Sequence, residues 1–93
     1  MRAIERTARF KRDYKRVARG PGRAALDASL AAIVEALARD LPLDRRRHDH
    51  ALSGRWAAYR DCHVKPDLLL IYHKPDPGTL RLVRLGSHSK LGL

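Results

Sequence analysis

An α+β fold with the element order β-α-α-β-β-β is expected from three features of the 93 residues. Apolar residues recur at helical spacing between about Arg23 and Asp40. Between Trp56 and Tyr72 the period changes to two and then gives way to a short apolar run, the pattern of a hairpin. Gly20-Pro21-Gly22 and Pro75-Asp76-Pro77-Gly78 punctuate the chain where elements should end. This length suits one modest core, so residues 1–93 are read as a single domain, and the 44% hydrophobic content argues against disorder although 32% of residues are charged.

Ile4, within Arg2 to Thr7, marks a short opening strand. Thr7 offers an N-cap to a first helix that buries Phe10, Tyr14 and Val17, spaced by four and three. Lys11, Arg12, Lys15, Arg16 and Arg19 form its other face, which is either a solvated surface or a set of phosphate contacts. Gly20-Pro21-Gly22 should end this helix through a left-handed glycine cap. The second helix carries Leu26, Leu30, Ile33, Val34, Leu37 and Leu41 and should stop at Pro42. It is rich in alanine and poor in charge, so it is assigned to the layer packed on the sheet and to no chemistry. Asp44 to His50 is a polar loop holding Arg45, Arg46 and Arg47. It leads into a strand starting at Trp56, with Trp56, Ala58 and Arg60 on one face and Ala57, Tyr59 and Asp61 on the other. Val64 to Asp67 supplies the turn, and Leu68 to Tyr72 reads as a strand buried on both faces. The last strand runs from Thr79 to about His88, with Leu80, Leu82, Arg84, Gly86 and His88 sharing one face.

Twenty Lys and Arg against ten Asp and Glu give a formal net charge of +10 and a pI near 10.9. So small and basic a body should meet an anionic partner, nucleic acid before a membrane surface. No apolar stretch approaches the roughly 20 residues of a membrane span, and no signal peptide is recognised, so no membrane partner is expected. The single Cys62 cannot form an intramolecular disulfide and suits a reducing compartment, the cytoplasm. It falls on the Trp56 face of the strand and reads as a small buried hydrophobe rather than a nucleophile.

Five histidines, His48, His50, His63, His73 and His88, are the side chains suited to moving protons near neutrality. RNA carries its own nucleophile, the 2′-hydroxyl, so a protein that cleaves it needs only a base, an acid and cations around the phosphate. His50, Asp61, His63 and Asp67 come from the loop and hairpin, and Arg84 and His88 from the last strand. They converge if the last three strands form an antiparallel meander. His48 and His73 are read as surface residues. Asp61 has an alternative as a structural partner of Arg60 or a loop amide, and Asp67 as the residue that follows Pro66 in the turn. His48, His50, His63 and Asp67 lack any established zinc spacing and the glycines form no phosphate loop, so no metal and no cofactor is expected. A non-catalytic basic RNA- or DNA-binding module is the alternative reading.

Leu41-Pro42, Asp49 to Trp56 (Asp-His-x-Leu-x-Gly-x-Trp), Tyr59 to Asp67 (Tyr-Arg-Asp-x-His-Val-x-Pro-Asp), Ile71-Tyr72 and Gly86 to His88 together resemble the RelE superfamily of bacterial type II toxins, in its YafQ-like branch. The resemblance covers almost the whole chain. It implies a microbial RNase fold, a twisted antiparallel sheet with two helices on one side, and ribosome-dependent cleavage of mRNA in the A site. It further implies a cognate acidic antitoxin, through which alone the toxin would reach operator DNA. The functional positions it carries over are His50, His63, Asp67, Arg84 and His88. His50 and His88 would share the base and acid roles in either order, Arg84 would stabilise charge on the phosphate, and His63 and Asp67 would orient the site with Asp61 behind them. Lys11, Lys15, Arg19, Arg45, Arg46 and Arg47 would bind rRNA phosphates. The family pattern has a Phe near its end where this chain reads Lys90-Leu91-Gly92-Leu93. Tyr59 and Tyr72 are then the aromatics left to face a cleft, which is why the ribosome is expected to position the mRNA.

Overall fold

The computed structural model describes residues 1–93 and is organised around a five-stranded sheet in the order β1-β5-β4-β3-β2. Along the chain the elements are β1 (Ala3–Arg6), α1 (Ala8–Val17), α2 (Arg23–Ala38), β2 (His50–Ala51), β3 (Arg60–Lys65), β4 (Leu68–His73), β5 (Thr79–Gly86) and α3 (His88–Leu91). The expected α+β class and order hold, with the short β2 and α3 added. Three ladders are antiparallel, whereas β1 lies parallel to β5, so the sheet is mixed.

Thr7 caps α1 as expected, its Oγ1 accepting from the Phe10 N–H at 3.0 Å, and it also donates to the Val83 carbonyl at 2.8 Å. One side chain thus starts the helix and fixes it to β5. The left-handed glycine falls elsewhere than expected: α1 ends on a right-handed Ala18, and Gly22, at φ 89°, opens α2. Asp40, rather than Pro42, turns α2 off. It adopts φ 57°, which lets Leu41 N–H bond the Ala36 carbonyl at 2.9 Å and Asp40 N–H bond the Leu37 carbonyl at 3.2 Å. The cap is secured because the Asp40 carboxylate accepts from Arg2 at 2.8 Å and Lys74 at 2.7 Å. Leu41 consequently leaves the helical stripe and is exposed.

Both sheet faces are covered. On one side Phe10, Leu26, Leu30, Ile33 and Leu37 of the two helices pack on Cys62, Val64, Leu70, Tyr72, Leu80, Leu82 and Leu85. On the other, Leu69, Ile71 and Leu91 form a smaller cluster with Leu52, Trp56, Tyr59 and Val83. β4 is buried from Leu68 to Tyr72, as its unbroken apolar run demands. Cys62 therefore lies in the helix-side core and Trp56 on the opposite face, not together.

The strand expected from Trp56 begins only at Arg60. Gly54 takes φ 63°, Gly54–Trp56 forms a single 3-10 turn, and Leu52 N–H reaches across to the Tyr59 carbonyl at 3.0 Å. Ala57 and Ala58 are exposed, so the alternation there reflects no burial. A bulge likewise breaks the face expected for the last strand. Ile71 lies opposite Arg84 but Tyr72 opposite Leu82, leaving Val83 unpaired. The inserted residue resets the phase, so Leu80, Leu82 and Leu85 all join the helix-side core, and His88 leaves the sheet to open α3.

Candidate active site

Register decides which side chains can meet. His50 pairs with Asp61, Asp61 with Ile71, His63 with Leu69, and Leu69 with Gly86, so these positions share the face turned away from α1 and α2. α3 folds back over that face. A Cβ on Gly86 would lie 3.3 Å from the Leu91 side chain, and Leu91 is buried. Ser87 starts α3 by accepting from Lys90 N–H at 3.2 Å, which sets His88 beside the hairpin turn.

The Nδ1 of His50 lies 2.7 Å from the His48 carbonyl, which can only accept, so this nitrogen carries the proton and Nε2 presents its lone pair outward. Asp61 Oδ1 stands 3.2 Å from the same Nδ1 yet has no aligned hydrogen bond, since the single N–H is spent on the carbonyl. Asp61 acts on His50 as a buried charge. Burial raises its pKa above 3.8, and the nearby His50, His63 and His88 pull the other way without cancelling the rise. At the turn, His88 Nδ1 lies 2.9 Å from Asp67 Oδ1, again leaving Nε2 open. Hydrogen bonds from the His88 ring and backbone hold the exposed Asp67 carboxyl below its ordinary range. His63 stands between neighbours, its ring centroid 5.6 Å from that of His88 and 5.0 Å from that of His48.

His50, Asp61, His63, Asp67 and His88 thus come together. Arg84 is held elsewhere: its guanidinium donates to Asp13 at 2.7 and 3.2 Å, the Leu85 N–H donates to the same carboxylate at 3.0 Å, and Arg16 at 2.9 Å. Burial alone would raise the Asp13 pKa, but these four hydrogen bonds outweigh it and lower the value.

Sequence reasoning missed His48, Asp49, Arg60 and Tyr72. His48 is exposed, as expected of a surface residue, and its left-handed backbone (φ 48°) also turns its carbonyl onto His50 and its ring onto His63. Arg60 is the partner of Asp49 at 3.3 Å, not of Asp61, and Tyr72 hydroxyl donates to Asp49 at 2.6 Å while accepting from Arg60 at 3.2 Å. This triad anchors the residue next to His50. Tyr72 is buried for that purpose and cannot face a cleft. Only the Tyr72–Asp49–Arg60 spacing within the motif hinted at it. His73 stays outside the group, packed on Tyr59.

The cationic loop borders the site. Arg47 donates to the Val64 carbonyl at 2.9 Å, which fixes the loop on β3, while Arg45 and Arg46 remain exposed. Arg46, Arg47, His48, His63 and Lys65 surround a hollow of about 460 Å³ with no carboxylate in its wall. Lys11, Lys15 and Arg19 are exposed on and just beyond α1.

Residues 2–92 match the family described as bacterial toxin of type II toxin-antitoxin system, YafQ. The chain belongs to this family. A metal-bound toxin from Helicobacter pylori is similar to this toxin, with 42% identity, 98% of this chain and 99% of that chain covered, and a TM-score of 0.85. Here no three His, Cys, Asp or Glu side chains are arranged to hold a metal ion. The mRNA interferase toxin YafQ of Escherichia coli K12 is 49% identical over 51 residues, which is 55% of this toxin and 54% of that one. The toxin therefore aligns with about half the length of that relative. A YafQ in the Escherichia coli DinJ-YafQ complex is 34% identical, with 98% of each chain covered and a TM-score of 0.78.

Proposed function

We propose that this toxin is a metal-independent endoribonuclease that cleaves mRNA in the ribosomal A site, with the 2′-hydroxyl of the substrate as nucleophile. The observation that supports it best is the pair of imidazoles, His50 and His88, each with Nδ1 engaged by an oxygen and Nε2 without a hydrogen-bond partner. His50 Nε2 takes the 2′-hydroxyl proton, and the Asp61 carboxylate nearby favours the imidazolium that forms. The 2′-oxygen attacks phosphorus, the bond to the 5′-oxygen breaks, and His88, protonated and held by Asp67, gives its Nε2 proton to that oxygen. The products are a 2′,3′-cyclic phosphate and a 5′-hydroxyl. His63, packed between His48 and His88, orients the rings. Arg84 stays bound to Asp13 outside this group and takes no part in the proton transfers.

Lys11, Lys15, Arg19, Arg45, Arg46 and Arg47 bind rRNA phosphates and bring the site to the codon. In the cytoplasm a cognate acidic antitoxin masks the toxin and supplies the contacts to operator DNA. No helix here is long and apolar enough to cross a membrane.

Incubation with programmed ribosomes followed by mapping of mRNA ends tests the reading. Cyclic phosphate ends are expected; a 3′-hydroxyl product would refute the mechanism. Naked mRNA at equal protein concentration should be cut more slowly, and equal rates would instead indicate a self-sufficient ribonuclease. His88→Ala should lower cleavage about 10²- to 10⁴-fold while ribosome binding persists. A non-catalytic binding module would have no cleavage to lose.

A further inference from the structure

A second hollow opens beside the cluster of Leu69, Ile71 and Leu91, on the sheet face that carries Asp61 and His63, because Trp56 and Tyr59 pack against that cluster. Its volume is about 320 Å³, and its walls are Arg9 of α1, Arg55 and Trp56 of the 3-10 turn, Tyr59, and Arg84 of β5. Three separated stretches of chain therefore bring three arginines to one place. Of these only Arg84 meets a carboxylate, the buried Asp13. Arg9 and Arg55 are exposed, and the Arg55 guanidinium lies 5.6 Å from the Trp56 ring centroid. Trp56 and Tyr59 meet edge to face at 5.4 Å, forming a fixed aromatic wall.

The geometry points to a nucleotide subsite for single-stranded RNA, in which Arg9 and Arg55 bind the phosphate of a nucleotide flanking the scissile one and the Trp56–Tyr59 wall meets its base. The inference rests on the RNA-cleaving reading for the word flanking, but the subsite is defined by its own residues. An acidic peptide would satisfy the guanidinium groups and leave the aromatic wall without a π-faced partner; a nucleotide engages both. The hollow matches the lower end of the ~300–1,000 Å³ usual for small-ligand clefts, room for one nucleotide and not several. Tyr59 thus faces a cleft as the sequence suggested, with Trp56, not Tyr72, as its companion.

Trp56 is the only tryptophan of the chain, so its emission reports on this hollow directly. Titration of the intact toxin with an all-deoxy single-stranded tetranucleotide, which has no 2′-hydroxyl to be attacked, should produce a saturable change in that emission. Arg9→Gln and Arg55→Gln should each weaken the response, and the double variant should weaken it on the order of tenfold or more. Arg39→Gln, which removes one charge on the exposed end of α2, should not reproduce this loss. Thermal melts should show that all variants fold, since neither Arg9 nor Arg55 holds an ion pair and that of Arg39 with Glu35 is exposed. The subsite is overturned if a labelled tetranucleotide binds by anisotropy with unchanged Trp56 emission, or binds the double variant as tightly as the parent. It is equally overturned if the tetranucleotide does not bind, or if only an acidic peptide of matching charge alters the emission. Because the probe is not cleaved, a toxin that fails on ribosomes can still pass this test, and an active toxin can fail it.

Discussion

Asp61 is a carboxylate with 4% of its side chain exposed, set beneath imidazoles and given no aligned donor. A carboxyl whose pKa is raised by folding leaves the protein most stable below 3.8, where both states are neutral, and that advantage is lost as pH rises through the raised folded value. The ionised Asp61 therefore costs stability at neutral pH. Asp61→Asn should leave the melting temperature at pH 7 unchanged or higher, with the gap closing below about pH 4, while mRNA cleavage falls; thermal melts paired with cleavage assays decide it. A variant that loses both stability and activity would make Asp61 a structural residue. Asp61, His50, His63, Asp67 and His88 were legible as a group because they fall in segments that an antiparallel meander collects. His48 was not, because its contribution flows from a left-handed backbone that no side-chain pattern announces. The destination of Arg84 was hidden in the same way, its partner Asp13 lying 71 residues away.

The joint between α1 and β5 depends on two side chains, Thr7 and Asp13. Thr7→Ala removes both the cap and the bond to Val83, and should cost about 0.5–2 kcal/mol in urea denaturation. Asp13→Ala leaves Arg84 without its partner and should cost roughly 3–5 kcal/mol at pH 7. The Asp13 pKa is lowered by folding, so its contribution is present above 3.8 and is lost as pH falls through the folded value. The stability gap between Asp13→Ala and the parent should accordingly narrow in acid, and a gap that is constant between pH 7 and pH 3 would assign the loss to packing. The two long helices and β4 were legible because periodicity and an unbroken apolar run report burial directly. The start of β3 was not, since Ala57 and Ala58 alternate with larger residues without packing on anything. The bulge at Val83 lay equally out of reach: one unpaired residue reverses every later side chain while leaving the composition of the strand unchanged.

For the molecule as a whole, the net charge of +10 predicts ribosome association that weakens steeply with salt through counterion release, and a flat affinity between low and moderate salt would tell against backbone contacts to rRNA. Covering both faces of one small sheet also has a consequence for how the fold opens. Cys62 has no exposed surface, sits between the sheet and the helices, and burial pushes its thiol up to about 12. Only the thiolate reacts with a disulfide reagent or maleimide, so the folded protein is inert at that sulfur and labelling must wait for the layers to part. The labelling rate in water then counts openings directly. Modification should track global unfolding in urea if the helical layer lifts only when everything does. It should run ahead of unfolding if α1 and α2 detach first, and Asp13→Ala should hasten it more than tenfold. The lone sulfur is in effect a clock for the lifetime of the closed sheet, readable by mass spectrometry in a protein that needs no added probe.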